Sequence, residues 1–326
     1  MHRDEKVFSS NILSESHFDQ AHLRTSVFFE KQLPSVLQKM GQSIYFYDPS
    51  LTASIIFTIL YLLSFAYHLY LSVIAPCTRK FSRTGYFIPV MVAAAIEVGA
   101  YAIRTASVKK PDNIGLYATS ATLIVIAPVL VCASLYIFIG KLIQSTEKEP
   151  LLFFGKVSPV WIPRIFVMSD ILSFLTQASG GGIASSNDWE GVQKDVGVGV
   201  LIGGLVLQLV TFALFLLLVI WFDMRSTPSS LAGDMKSGVR LVLNGIYVAS
   251  FFIMVRLIYR VIEFSMGMDT YTWTHEWPLY VLEAAPMFIA MMALGWYHPA
   301  RWIPSGLRAT PEISSRRRYN EPVPPS

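Results

Sequence analysis

Residues 197–222 read GVGVLIGGLVLQLVTFALFLLLVIWF, without one Asp, Glu, Lys or Arg. At 1.5 Å per residue, a helix of that length crosses the roughly 30 Å hydrocarbon core of a bilayer. Inside lipid every backbone polar group must find its partner within the chain, so such a run has to be helical. Six further apolar stretches of the same kind lie at 51–75, 86–106, 117–140, 161–180, 241–264 and 279–298. The one at 161–180 is the weakest, because Asp170 and Gln177 interrupt it. Composition agrees: 53% of the 326 residues are hydrophobic and 15% are charged, against roughly 25% charged in soluble domains. The predicted fold is an all-α membrane protein, a bundle of seven transmembrane helices over residues 51–299. A polar tail, 1–50, precedes it, and a basic, disordered cytoplasmic tail, 300–326, follows.

The loops predict how the bundle sits. Arg79, Lys80 and Arg83 lie between spans 1 and 2, and Lys141, Lys148, Lys156 and Arg164 between or beside spans 3 and 4. Arg225, Lys236 and Arg240 lie between spans 5 and 6, and Arg301, Arg308 and Arg316–Arg318 after span 7. The alternate loops hold Lys109, Lys110 and Lys194. Fifteen basic residues against three place the rich side in the cytoplasm and the N-terminus on the other face. Tyr45, Phe46 and Tyr47 before span 1, and Tyr271, Trp273 and Trp277 before span 7, are interfacial anchors for that outer face. The net charge of +4 is that of basic helix flanks and gives no case for nucleic acid. Cys77 and Cys132 predict no disulfide. Pro128 and Pro286 predict helix kinks, and Gly199 with Gly203, Gly204 beside them, predicts a close helix approach on span 5.

Some side chains do not belong in lipid. An ionised group at mid-bilayer costs at least about 2.5–3.5 kcal/mol. Yet span 2 carries Glu97, Tyr101 and Arg104 at i, i+4 and i+7, on one helical face. Span 4 carries Asp170, Ser173 and Gln177, span 5 Gln208, span 6 Arg256, Tyr259, Arg260 and Glu263, and span 7 Glu283. With the predicted orientation, Glu97 and Asp170 lie near the midplane and Arg104, Gln177, Arg256, Arg260, Glu263 and Glu283 in the outer half, so that polar residues from four or five helices would line a polar cavity opening outward. Buried ion pairs are poor stabilisers, so this many at one depth mark a substrate-binding site.

The same residues carry a resemblance. The chain has Tyr47-Asp48-Pro49-Ser50 before span 1, Glu97-x-Gly99-x-Tyr101-x-x-Arg104 in span 2, and Ala127-Pro128 with Ala133-Ser134-x-Tyr136 in span 3. Asp170-x-x-Ser173-x-x-x-Gln177 with Gly180-Gly181-Gly182 follows in span 4, and Gly204-x-x-x-Gln208 in span 5. Span 6 has Arg256-x-x-Tyr259-Arg260-x-x-Glu263-x-x-x-Gly267, and span 7 ends at His298-Pro299. In this order the motifs resemble the fungal RTA-like (resistance to aminocholesterol) lipid-translocating exporter family, from about Tyr45 to Pro299. Two features depart from it: Ala284-Ala285-Pro286-Met287 stands where the family often has a further acidic residue, and Ala300 where it has glycine. The resemblance implies a plasma-membrane or endomembrane protein, the plasma membrane first. It also implies membrane lipids or sphingoid long-chain bases as ligands.

Three functions compete on the residues. A translocator of lipids or amphiphiles uses the carboxylates for an amine and the arginines for a phosphate. No G-x-x-x-x-G-K-[ST] loop is present to power it with ATP. The alternative is a heptahelical receptor or lipid-stress sensor with a protein partner on its cytoplasmic tail. Against the familiar receptor class, span 3 ends in Ile139-Gly140-Lys141 and span 7 lacks Asn-Pro-x-x-Tyr. An enzyme is the third. His68 stands isolated on span 1, while His275 and His298 are predicted at opposite faces, so no metal or nucleophilic constellation forms. The expectation is a non-enzyme without cofactor or metal.

Overall fold

The computed structural model describes residues 45, 47–77, 85–146, 161–185, 191–225, 233–267 and 270–302. Of the predicted tails 1–50 and 300–326, residues 1–44 and 303–326 lie outside them. So do Phe46 and the loop residues Arg79, Lys80, Arg83, Lys148, Lys156, Arg308 and Arg316–Arg318 on which the orientation largely rests.

Helix α1 runs Leu51–Leu69, opened by Ser50, whose hydroxyl accepts from the Ala53 N–H. It continues through a π-helical stretch, Tyr70–Ile74, to Cys77. α2 is Ile88–Lys109, α3 Ile114–Thr146, α4 Trp161–Ser185, α5 Gly191–Arg225 and α6 Gly233–Met266. α6 ends where Gly267 takes a φ of 83°, the left-handed cap glycine supplies without strain. α7, Ala285–Trp296, grows out of a second π-helical stretch, Leu279–Ala284. No strand occurs among the described residues.

Each helix packs mainly on its neighbours in sequence, and α7 closes the ring against α6 and α1. Among the described residues six helices are long and apolar enough to cross a membrane, and the chain is a multi-pass membrane protein. α4 has the length, 25 residues, but Arg164, Asp170 and Gln177 lower its hydropathy. It lies antiparallel along α5, as Ala184 beside Gly197, Gly180 beside Leu201 and Gln177 beside Gly204 define. Its apolar side chains Ile165, Met168, Leu172 and Leu175 point outward while Asp170, Ser173 and Gln177 are buried. Apolar outside and polar inside recurs around the bundle: Ile59, Leu63, Leu217 and Phe251 are exposed, while Glu97, Arg104, Arg256 and Glu283 are buried. That inversion suits lipid as the solvent.

Of the three glycines expected to pack on span 5, only Gly204 does. A Cβ on Gly199 or Gly203 would meet open space. One on Gly204 would fall 2.8 Å from the Ser173 carbonyl oxygen, and one on Gly180 2.4 Å from the Leu201 nitrogen. The face of α5 turned to α4 carries Gly197, Leu201 and Gly204, and the i,i+4 pair Gly199 and Gly203 lies off it.

The prolines act differently from one another. Both π-helical stretches end at Ala-Pro, Ala75-Pro76 and Ala285-Pro286. In each, the alanine N–H reaches the carbonyl five residues back, Tyr70 or Tyr280. A proline cannot donate to the α ladder, and the wider turn before it absorbs the mismatch. α3, by contrast, continues unbroken through Pro128.

Candidate functional site

Pro128 leaves the carbonyl four residues earlier, Ile124, without its helical partner. Arg256 fills the vacancy: its Nη2 donates to Ile124 O at 2.9 Å and to Glu283 Oε1 at 2.8 Å. A kink-former in span 3 thus supplies an acceptor for a cation on span 6. Glu283 faces inward from the π-helical stretch, and its second oxygen lies 3.7 Å from Arg260. Arg260 also pairs with Glu263 at 3.1 Å, and Glu263 accepts from the Tyr259 hydroxyl at 3.0 Å. Glu97, 1% exposed, lies close enough to Arg256 and Glu283 for their charges to act on it. Tyr101, one turn further on α2, stacks on Tyr61 at 5.2 Å, and the Tyr61 hydroxyl donates to Ala284 O at 2.8 Å. Glu97 Oε2, the Tyr101 hydroxyl, Arg256 Nε and Glu283 Oε2 are buried without a hydrogen-bond partner. Buried polar atoms are nearly always satisfied, so these four are free to take a ligand or water.

Arg104 lies nearer the end of the bundle where α1 begins. It is clamped rather than free: Nη2 donates to Glu276 Oε1 at 3.0 Å and to the Tyr47 hydroxyl at 2.8 Å, and Nε to the Tyr280 hydroxyl at 3.3 Å. Glu276 Oε2 accepts from the Ser50 N–H at 2.6 Å, so this carboxylate ties the turn before α7 to both α1 and α2. Burial pushes the Tyr47 phenol above its ordinary range, and the Arg104 charge offsets part of that shift. The sequence reading set Arg104 against the carboxylates inside the spans and did not name Glu276 or Tyr280. The one available signal was Glu276 itself, the only acid in 270–278.

The remaining predicted residues form a separate group. Asp170 on α4 accepts from the Tyr136 hydroxyl on α3 at 2.9 Å, and Gln177 donates to Gln208 on α5 at 3.0 Å. The eleven residues therefore make a central ion cluster, an Arg104 clamp and an α3–α4–α5 polar wall. The expected outward-open cavity takes another form: ten of the eleven are buried, Arg260 is half-buried, and the clamp lies over the α1 end of the cluster. His68 is not isolated as expected: its ring lies 6.5 Å from that of His298. Cys77 is a free exposed thiol and Cys132 a free buried one.

The family model described as "RTA1 like protein" matches residues 90–306. Among curated proteins of Saccharomyces cerevisiae, the chain is 29% identical to Protoporphyrin uptake protein 1 over 208 residues, 64% of this chain and 66% of that one. It is 28% identical to Protein RTA1 over 276 residues, 78% of this chain and 84% of that one. It is 30% identical to Sphingoid long-chain base transporter RSB1 over 237 residues, 63% of this chain and 61% of that one. The match thus spans less than two thirds of the uptake protein and of RSB1. No solved structure matches the chain. With the model covering two thirds of the chain and the motif residues from Glu97 to His298 inside it, the chain belongs to the RTA1-like protein family.

Proposed function

We propose that this protein moves lipid-like amphiphiles across the membrane, and that the Glu97–Arg256–Glu283 cluster receives their polar heads. The observation that carries the reading is the unsatisfied charge at the bundle's centre. Seven ionisable side chains are gathered between α2, α6 and the α7 stretch, and Glu97 has no opposed cation of its own. A sphingoid base carries an ammonium and hydroxyls on an alkyl chain. The ammonium suits Glu97, with the Tyr101 hydroxyl beside it as a second polar contact. The alkyl chain stays among apolar side chains or in lipid. The names of two relatives, a sphingoid long-chain base transporter and a porphyrin uptake protein, support amphiphiles as the class. For a head to reach Glu97 from the α1 end, the Arg104–Glu276 contact must part.

In this reading all seven helices span the bilayer. α4 must, because it lies along α5 at matched depth. The basic loops put the N-terminus outside and the C-terminus in the cytoplasm, so the clamp faces outward. The plasma membrane is the proposed location and membrane lipids the partners.

The test is flipping by purified protein in liposomes. Fluorescent long-chain base is placed in both leaflets and the outer label is quenched chemically. The wild type accelerates loss of the inner pool, and Glu97→Gln abolishes the acceleration while folding normally. No acceleration by the wild type over empty liposomes sinks the reading and turns attention to a lipid sensor.

A further inference from the structure

The buried face of α1 is polar along most of its length. Ser54, Tyr61, Ser64 and His68 are its buried residues, and half-buried Ser72 extends the line. Most helical hydroxyls in this bundle satisfy themselves: Thr58, Thr105 and Ser173 donate to the carbonyl four residues back. The Ser64 hydroxyl does not, and is buried without a partner. His68 is one turn further on. Its Nε2 lies 3.0 Å from Met291 O, and a carbonyl only accepts, so Nε2 carries the hydrogen. Nδ1 is then a bare lone pair, also buried and unpartnered.

These atoms align with Glu97. α1 and α2 run antiparallel, and Tyr61 stacks on Tyr101 at 5.2 Å. Ser64 is three residues beyond Tyr61, and Glu97 four residues before Tyr101. The two come level to within about one residue's rise, 1.5 Å. Beyond His68 the line continues to His298, whose Nε2 is 3.5 Å from the Ser72 hydroxyl and whose Nδ1 accepts from the Ala300 N–H at 3.2 Å. Glu97 Oε2, Ser64 Oγ and His68 Nδ1 are thus three orphaned groups at neighbouring heights of the α1–α2 pair. Internal waters occupy just such sites, where they find polar partners.

We propose that Ser64 and His68, with internal water, form a proton relay joining Glu97 to the α7 C-terminal end of the bundle. A proton from that side adds to His68 Nδ1, giving an imidazolium still held through Nε2–H by Met291 O. It then passes through the Ser64 hydroxyl and water to the Glu97 carboxylate, which becomes a carboxylic acid as the imidazole returns to neutral. Glu97 faces Tyr61, Tyr101, Arg256 and Glu283. His68 faces Tyr67, His298 and uncharged Met291 and Gly295, with Arg301 beyond on the Tyr67 hydroxyl. No carboxylate stands beside His68 among these, so its proton is passed on rather than trapped in an ion pair. In the proposed orientation the relay opens to the cytoplasm while the Arg104–Glu276 clamp closes the other side. Protonation would discharge an ammonium from Glu97, so the relay deepens the translocation reading and rests on it only for what the proton drives.

The relay is tested apart from transport by infrared spectroscopy of the full protein in lipid nanodiscs. The carboxylic acid carbonyl band of Glu97 is assigned by its loss in Glu97→Gln, and its exchange is followed after transfer to heavy water. His68→Leu and Ser64→Ala are expected to slow that exchange on the order of a hundredfold, the low end of what a positioned proton carrier contributes. Thermal unfolding of each variant checks its folding, and His68→Gln, which can keep a donor toward Met291 O, is expected to slow exchange like His68→Leu. A band that exchanges equally fast in all variants, or no band assignable to Glu97 across the neutral pH range, overturns the relay. Flipping on the same proteins separates the two readings. His68→Leu is expected to retain downhill flipping and lose its response to a pH gradient. Slowed exchange with no flipping by any protein sinks the translocator and leaves the relay standing.

Discussion

Arg256 shows how a single residue can be both anchor and liability. It holds Ile124 O and Glu283 Oε1, and all three residues are buried. Removing one partner of a buried pair strands the other's charge, which costs about 3–5 kcal/mol, whereas replacing both with apolar residues is often neutral. Arg256→Met is therefore expected to lower the thermal stability of the purified protein by that amount, and Arg256→Met/Glu283→Leu to recover most of it. Both variants lose flipping. If the double variant is no more stable than the single, the pair is not the reason Arg256 matters. Glu97 differs because no ion pair holds it among the described residues, so in the proposed function its value is in what it binds. The sequence identified both residues from the cost of a charge in lipid, and Tyr101, Asp170 and Glu283 from the same argument. It could not say which acid each arginine holds, because the choice depends on how α6 rotates against α7. Glu276 was missed for another reason: it stands outside the apolar run, where a charge is unremarkable until the tertiary fold returns it over Arg104.

Among elements, the α4–α5 pair is the clearest case. Gly180 and Gly204 stand where any larger side chain would enter the facing backbone, while Gly199 and Gly203 face open space. Gly204→Leu is expected to destabilise by about 1–3 kcal/mol, the usual range for overpacking. Gly199→Leu should stay within about 0.5 kcal/mol, as surface changes do. Thermal unfolding in detergent compares them, and equal losses would mean the packed face of α5 is misassigned. Glycine spacing along the chain names a helix able to pack closely but not the angular face that does so. The prolines repeat the lesson. Pro76 and Pro286 are absorbed by π-helical turns, and Pro128 by an arginine from another helix. Sequence marks the break in the ladder; only the neighbours decide what repairs it.

For the whole molecule, the proposed topology can be read with the protein's own two cysteines. Cys77 is exposed and Cys132 buried. A membrane-impermeant maleimide is expected to label Cys77 only after cells are permeabilised, because the α1–α2 turn is placed in the cytoplasm. Cys77→Ser removes the signal. Labelling of intact cells would invert the orientation and with it the side on which the Arg104 clamp opens.

The sequence by itself determined that this chain lives in lipid, where its helices lie, and which side chains are too costly there to be accidental. Those are local quantities, set by transfer free energy and by the length needed to cross a bilayer. Tertiary structure alone decided which charges meet, that Glu276 closes over Arg104, that Pro128 feeds Arg256, and that Ser64 and His68 line up with Glu97. Each depends on helix rotation and depth, which are fixed by packing between residues far apart in the chain.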